Sequence, residues 1–172
     1  MTRRMCSQSS DAHRDGSLGR PPGRSGDGAA GVRRGARMLI PDTLMLAVCS
    51  FGDELPSERV ASAIAKGVRA AGMPAPDMCP IEDALPGDFD VRMRRARAVV
   101  VGTGRLERAT LPVSPVFEIA TRARQAGVPA YAVTALNELD VFDARMLDLQ
   151  VILQARGTRG LSAAGRALAR LA

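Results

Sequence analysis

From Thr43 onward the chain alternates short, continuous apolar runs with longer segments in which apolar residues recur every three or four positions. Continuous apolar runs are typical of strands buried on both faces, and the three- to four-residue repeat is typical of amphipathic helices. The runs predict strands at residues 44–49, 98–101, 130–134 and 149–153, and a short strand at 77–81. The repeats predict helices at residues 57–71, 114–126 and 161–171, and a helical turn at 88–95.

The order of these elements predicts the fold class. Strands that alternate with helices form a parallel sheet with right-handed crossovers and helices on both faces. We therefore expect residues 43–172 to form a three-layer, Rossmann-like α/β domain with a mainly parallel sheet. Ligands of such sheets bind beyond the carboxyl ends of the strands, near the switch in strand order. This rule points to the loops at residues 50–56, 102–112, 135–140 and 155–160.

Residues 1–42 differ from the rest of the chain in composition. They are rich in Arg, Gly and Ser and poor in aliphatic side chains until Met38, which predicts a disordered tail. Two alternatives stay open for this tail. It binds RNA or an acidic partner, or it precedes a true translation start at Met38 or Met45 rather than at Met1.

The net charge of +6 is concentrated in that tail. Residues 1–37 contain eight arginines and three aspartates, so they contribute +5 and the rest of the chain only +1. A folded domain that binds nucleic acid is expected to have basic residues on its own surface. We therefore expect no nucleic-acid partner except through the tail.

The cysteines and the apolar runs indicate the cellular compartment of the protein. Cys6, Cys49 and Cys79 are widely spaced, and His13 is the only histidine, so no zinc-site spacing is present. No apolar run approaches the ~20 residues of a membrane span, and the N-terminus lacks the apolar segment of a secretory signal. These features predict a cytoplasmic protein with free thiols and no membrane partner.

The segment GTGRLE at residues 102–107 is the first candidate for chemistry, because it follows a buried strand. Glycines there allow a ligand to approach the backbone, and exposed amides together with Arg105 suit a phosphate or a carboxylate. The alternative is a tight turn whose glycines only satisfy backbone angles. The third glycine of a dinucleotide fingerprint is missing.

Three other loops carry weaker candidates. Asp53 and Glu54 suit Mg²⁺, although acids ahead of a helix also stabilise its N-terminal dipole. Arg159 lies in a basic, glycine-rich segment that suits an anion at a helix N-terminus or forms a solvated turn. Asp83 is either a metal ligand or an ordinary acid of a surface loop. No catalytic triad can be drawn, because the only histidine is in the tail.

Several segments resemble the two-domain bacterial glycerate kinases. Ser50-Phe51, followed by VASAI at 60–64 and Gly67, is similar to the family's first strand and helix. The match continues at residues 98–111 (AVVVGTGRLERATL) and 126–129 (AGVP), with a fainter one at 80–83 (PIED). The resemblance implies a kinase-like fold, ATP-dependent phosphorylation of glycerate and Mg-ATP as cofactor. The candidates for binding substrate or phosphate are Ser50, Gly102, Thr103, Gly104, Arg105, Glu107 and Arg159, and the candidate metal ligand is Asp83.

The chain departs from the family pattern at positions of chemical importance. The departures are Cys49, Gly52, Thr103, Glu107, Val113 and Ser114, where the family has Asp, Lys, Glu, Asp, Gly and Lys. The family's second domain, expected between residues 83 and 98, is also missing. Phosphoryl transfer depends on positioning and on cationic stabilisation by Lys, Arg and Mg²⁺. We therefore expect a glycerate-kinase-like protein with weak or lost catalysis and residual binding of a nucleotide, phosphate ester or carboxylate.

Two other interpretations remain open. The chain is a non-enzymatic interaction or regulatory module that acts through its surface or its basic tail. Otherwise it is a working kinase that obtains its missing half from another chain. The partner interpretations therefore include a homo-oligomer and a partner chain that carries the missing domain.

Overall fold

A computed structural model describes residues 42–172, so the tail up to residue 41, including the alternative start at Met38, lies outside the described residues. The strands are β1 (Leu44–Val48), β2 (Asp77–Pro80), β3 (Ala98–Leu106), β4 (Ala130–Asn137) and β5 (Leu149–Gln154). The helices are α1 (Ser57–Ala70), α2 (Phe89–Arg94), α3 (Pro115–Ala126), α4 (Val141–Met146) and α5 (Gly157–Leu171). A 3₁₀ turn at Leu111–Val113 precedes α3.

The five strands form one sheet in the order β2-β1-β3-β4-β5, and every neighbouring pair is parallel. The predicted α/β class with a parallel sheet is thereby confirmed. The chain steps outward from β1 to β2 and then returns past β1 to β3. The strand order therefore switches between β1 and β3, where a crevice for ligands is expected.

The apolar strands contribute side chains to two hydrophobic cores, one on each face of the sheet. In β1, Leu44, Leu46 and Val48 pack into the core beneath α1 and α5, whereas Met45 and Ala47 pack into the core beneath α2 and α3. Successive strand residues point to opposite faces, so a strand covered on both sides needs apolar residues throughout. This requirement explains the continuous run of residues 44–48.

The contact between α1 and α5 depends on two glycines. A Cβ on Gly67 would overlap the carbonyl oxygen of Ser162, and a Cβ on Gly165 would overlap the carbonyl oxygen of Ile64. The two helices therefore approach until backbone meets backbone, which only glycine allows. None of the helices within residues 42–172 is long and apolar enough to cross a membrane.

The structure corrects the predicted elements at the carboxyl edge of the sheet. β3 continues to Leu106 and β4 to Asn137, so the predicted loop at 102–112 is wrong over its first five residues. β3 extends because residues 103, 105 and 106 pair with residues 134, 136 and 137 of β4. α5 begins at Gly157 rather than at residue 161, and the short helix α4 was not predicted.

Candidate functional site

The carboxyl edge of β1 and β3 brings the first group of predicted site residues together. The Cys49 amide donates a 2.8 Å hydrogen bond to the carbonyl oxygen of Gly102, so the segment that leaves β1 stays alongside β3. Ser50 follows immediately and is exposed. Ser50 and residues 102–105 therefore flank the switch in strand order.

The two glycines of the GTGRLE segment have packing roles. A Cβ on Gly102 would lie 2.5 Å from Cγ1 of Val48, and a Cβ on Gly104 would lie 3.2 Å from the Cα of Phe51. Gly102 has no room for a side chain against Val48, and Gly104 lies in tight contact with the loop after β1. The prediction of a glycine turn at this position is wrong, because the segment is a strand. Thr103 also serves the local backbone, since its Oγ1 donates to the carbonyl oxygen of Arg105 at 3.3 Å.

Arg105 is an exposed cation of this edge, and two carboxylates surround it. Its Nη1 lies 3.3 Å from Oε2 of Glu107, and its Nε lies 3.8 Å from Oε2 of Glu138. The Arg105 side chain is 55% exposed. Exposed ion pairs contribute only about 0–1 kcal/mol, so an anion can displace these carboxylates, but it must compete with them.

The end of β4 and the segment after β5 complete the edge. The predicted loop at 135–140 is wrong over its first three residues, because β4 continues to Asn137. The Arg156 Nε donates to the carbonyl oxygen of Ala135 at 3.2 Å and so links the segment after β5 to the end of β4. Thr134 is fully buried, and its Oγ1 donates to the carbonyl oxygen of Leu136 at 2.9 Å. Asp140 caps α4 by accepting from the Asp143 amide at 2.7 Å.

The remaining predicted site residues lie either in a groove between α1 and α5 or in exposed loops. Arg159 lines a groove between α1 and α5, together with Lys66. Asp53, Glu54 and Asp83 are exposed loop residues. Within residues 42–172 there is no group of three or more His, Cys, Asp or Glu side chains that could hold a metal ion.

The two cysteines in the described range are free thiols. Burial raises the pKa of Cys49, which directly precedes Ser50. Burial also raises the pKa of Cys79, although the nearby Arg92 guanidinium partly opposes this effect. Arg92 is itself held by Asp77 through bonds of 2.9 and 2.7 Å, and this pairing raises the pKa of Arg92. Both cysteines are therefore protonated near neutral pH and are poor nucleophiles.

Comparisons with known proteins add little to this geometry. No protein-family model matches the chain, and no curated protein matches it significantly. Among solved structures, the chain is similar to a Burkholderia pseudomallei protein described as pilus assembly-related, with a TM-score of 0.49 and 16% sequence identity. The similarity covers 76% of this chain and 92% of that one. At this level it carries no inference about function.

Proposed function

We propose that this chain is a single-domain relative of the glycerate kinases that has lost phosphoryl transfer and retains weak binding of a phosphate ester or carboxylate beside Ser50 and Arg105. The resemblance supplies the family. The parallel sheet supports it, because the two most similar segments end on the neighbouring strands β1 and β3. The segment from residue 83 to residue 98, where the family has its second domain, contains only a loop and α2.

The charge balance around Arg105 is the observation that carries the proposed loss of catalysis. Transfer of a phosphoryl group requires concentrated positive charge on its oxygens. Here the exposed cation Arg105 is offset by Glu107 and Glu138, and the only lysine of the chain, Lys66, lies on α1. Loss of one well-placed electrostatic group typically costs ~10²–10³ in rate, and this edge lacks several.

Ligand-dependent thermal unfolding of the full chain tests the retained binding. We expect millimolar Mg-ATP, ADP or D-glycerate to raise the melting temperature, since ligand at 100 times its Kd adds about 2.7 kcal/mol to stability. Arg105→Ala should abolish the shift. Arg108→Ala should keep it, because Arg108 is an exposed arginine in the loop after β3 whose partner is Asp143, at 3.8 Å.

Two outcomes would contradict the retained binding. A melting temperature that none of the three ligands changes would contradict the proposed retained binding. An equal shift in Arg105→Ala and in the unmodified chain would place the ligand at another site.

A second candidate function, self-association, is favoured by the exposed apolar surface of α4. Val141, Phe142 and Met146 are 70%, 64% and 58% exposed, although α4 has only six residues. α4 packs beside β5, which is an edge strand of the described sheet. Exposed apolar clusters and unpaired strand edges are typical of surfaces that bind another protein.

The charges around this apolar surface favour a second copy of the chain as the partner. Arg145 lies in the last turn of α4 and has no ion-pair partner within residues 42–172, while Asp140 precedes the first turn. If two copies of α4 pack antiparallel, each Arg145 meets the other copy's Asp140, as a two-fold interface requires.

Sedimentation of the full chain at tens of micromolar tests self-association. We expect a dimer that Phe142→Glu converts to a monomer. The control Val113→Glu, at a residue that is 87% exposed outside α4, should stay dimeric. A monomeric unmodified chain would rule this candidate out.

A further inference from the structure

The groove between α1 and α5 is lined almost entirely by cationic and hydroxyl side chains. It has a volume of about 610 Å³. Its cations are Arg59, Lys66, Arg159 and Arg166, and its hydroxyls are Ser62, Thr158 and Ser162. Ala63 is the remaining lining residue, so the groove contains no aromatic side chain and no carboxylate.

These two helices carry much more positive charge than the domain as a whole. α1 and α5 contain six Arg and Lys residues and one acid, Glu58, which gives them +5. Residues 42–172 sum to only +1, so the other elements together are net negative, at −4. The α1 and α5 cations form no ion pair within 4 Å inside this range.

The cations form two rows along the groove. Arg59 and Lys66 are seven residues apart on α1, as are Arg159 and Arg166 on α5, and this spacing returns to nearly the same helix face. Each pair is therefore separated by ~10.5 Å along its helix axis. Arg170 continues the α5 row to ~16.5 Å. The contact at Gly67 and Gly165 holds the helices together, so both rows border one groove.

We propose that this groove binds the sugar–phosphate backbone of a double-stranded nucleic acid. Rows of arginine, lysine and hydroxyl donors match a line of phosphates, which attract them without regard to sequence. This inference does not depend on the proposed function, and its site lies on α1 and α5 rather than beside Arg105.

The character of the lining favours a duplex over other anions. Single strands are typically held by aromatic side chains that stack on bases, and small-molecule sites have a few polar groups that converge on one ligand. The groove has no aromatic lining residue, and its four cations lie in two rows, of which the α5 row is longer than a single phosphate ester. The segment at residues 1–37 carries +5, so its charge would attract the same polyanion.

Fluorescence anisotropy with the full chain and a labelled 20-base-pair duplex of arbitrary sequence tests this proposal. The double variant Arg159→Ala, Arg166→Ala should weaken binding tenfold to a hundredfold at about 0.1 M salt, because each phosphate contact contributes ~0.9 to the salt slope. The control Arg94→Ala, Arg95→Ala removes the same charge from exposed positions at the end of α2, and it should bind within about threefold of the unmodified chain. Arg159→Lys, Arg166→Lys should retain most of the affinity and so separate charge loss from damage to the fold.

Several results would overturn the proposal. An unmodified chain that fails to bind the duplex would do so. Equal losses in the groove variant and the control would assign binding to net charge or to the tail. Competition by polyglutamate as effective as that by unlabelled duplex would show that the groove does not select phosphates, and tighter binding of a single strand would contradict the choice of a duplex.

Discussion

The glycine contact between α1 and α5 gives a prediction whose sign is fixed by the structure. In Gly165→Ala, the new methyl group would overlap the carbonyl oxygen of Ile64 and come within 3.1 Å of the Cα of Gly67. Both obstacles belong to helix backbone, which cannot rotate out of the way as a side chain can. The helices must therefore separate, although Leu161 and Leu168 of α5 are fully buried against the sheet.

The expected cost follows from two opposing effects. Overpacking a well-packed contact costs ~1–3 kcal/mol. Replacing glycine by alanine within a helix returns ~1 kcal/mol of helix propensity. Because both obstacles are rigid backbone, the upper part of the overpacking range applies, about 2–3 kcal/mol. We therefore expect Gly165→Ala to lower the free energy of unfolding by about 1–2 kcal/mol, which lowers the melting temperature of a domain this size by several degrees.

Urea unfolding of the full chain, followed by far-ultraviolet circular dichroism, measures this loss. The matched control is Gly160→Ala in the same helix, where the nearest atoms to a new Cβ are 3.5 Å away in Ala155. Because that is an ordinary contact, the control should gain about 0.4–1 kcal/mol. A Gly165→Ala variant as stable as the unmodified chain, or a control that is equally destabilised, would refute the packing described here.

Two further predictions concern the cap of α4 and the buried thiols. Asp140→Ala should cost about 1 kcal/mol in urea unfolding, because the Asp140 carboxylate caps α4 by accepting a 2.7 Å bond from the Asp143 amide. Burial raises the pKa values of Cys49 and Cys79 in the folded state above the ordinary value of 9.0, so the unfolded chain releases these protons first. Stability should therefore be insensitive to these thiols well below pH 9.0 and fall as the pH rises through it. The variant Cys49→Ala, Cys79→Ala should show a flatter dependence of the urea midpoint between about pH 7.5 and 9.5, and an unchanged slope would contradict this assignment.

The elements that were predicted correctly are determined by residues within the elements themselves. The run at residues 44–48 is apolar throughout because it contributes to both cores, and the α1 repeat at Val60, Ile64 and Val68 packs on one of them. The predicted helix 114–126 is α3, with Ser114 as its cap. Each signal lies within a few residues of the element that it predicts, so it is visible along the chain.

The features that were missed depend on residues far apart in sequence. β3 extends through Thr103 and Arg105 because β4 pairs with it, and the alternation of glycine and polar residues there resembles a loop. Glu138 meets Arg105 only because the ends of β3 and β4 are neighbours. α4 is too short for a repeat to show, and its single buried polar residue is Asp143.

The charge of the folded domain shows the same limitation. A regional sum of +1 for residues 42–172 gives no sign of a basic surface. The basic surface does not show in the sum because positive and negative residues cancel. The cations are concentrated on α1 and α5, whereas acids such as Glu107 and Asp140 lie at the carboxyl edge of the sheet. Only the packing of α1 against α5 brings residues 59 and 66 beside residues 159 and 166.

The most direct test of the proposed function is the release of ADP from Mg-ATP by the full chain, measured with and without D-glycerate. Arg105→Ala, purified in parallel, controls for contaminating kinases. If phosphoryl transfer has been lost, glycerate adds nothing to the background rate in either protein. Glycerate-dependent ADP release by the unmodified chain that Arg105→Ala abolishes would contradict this conclusion and establish a working kinase without the second domain.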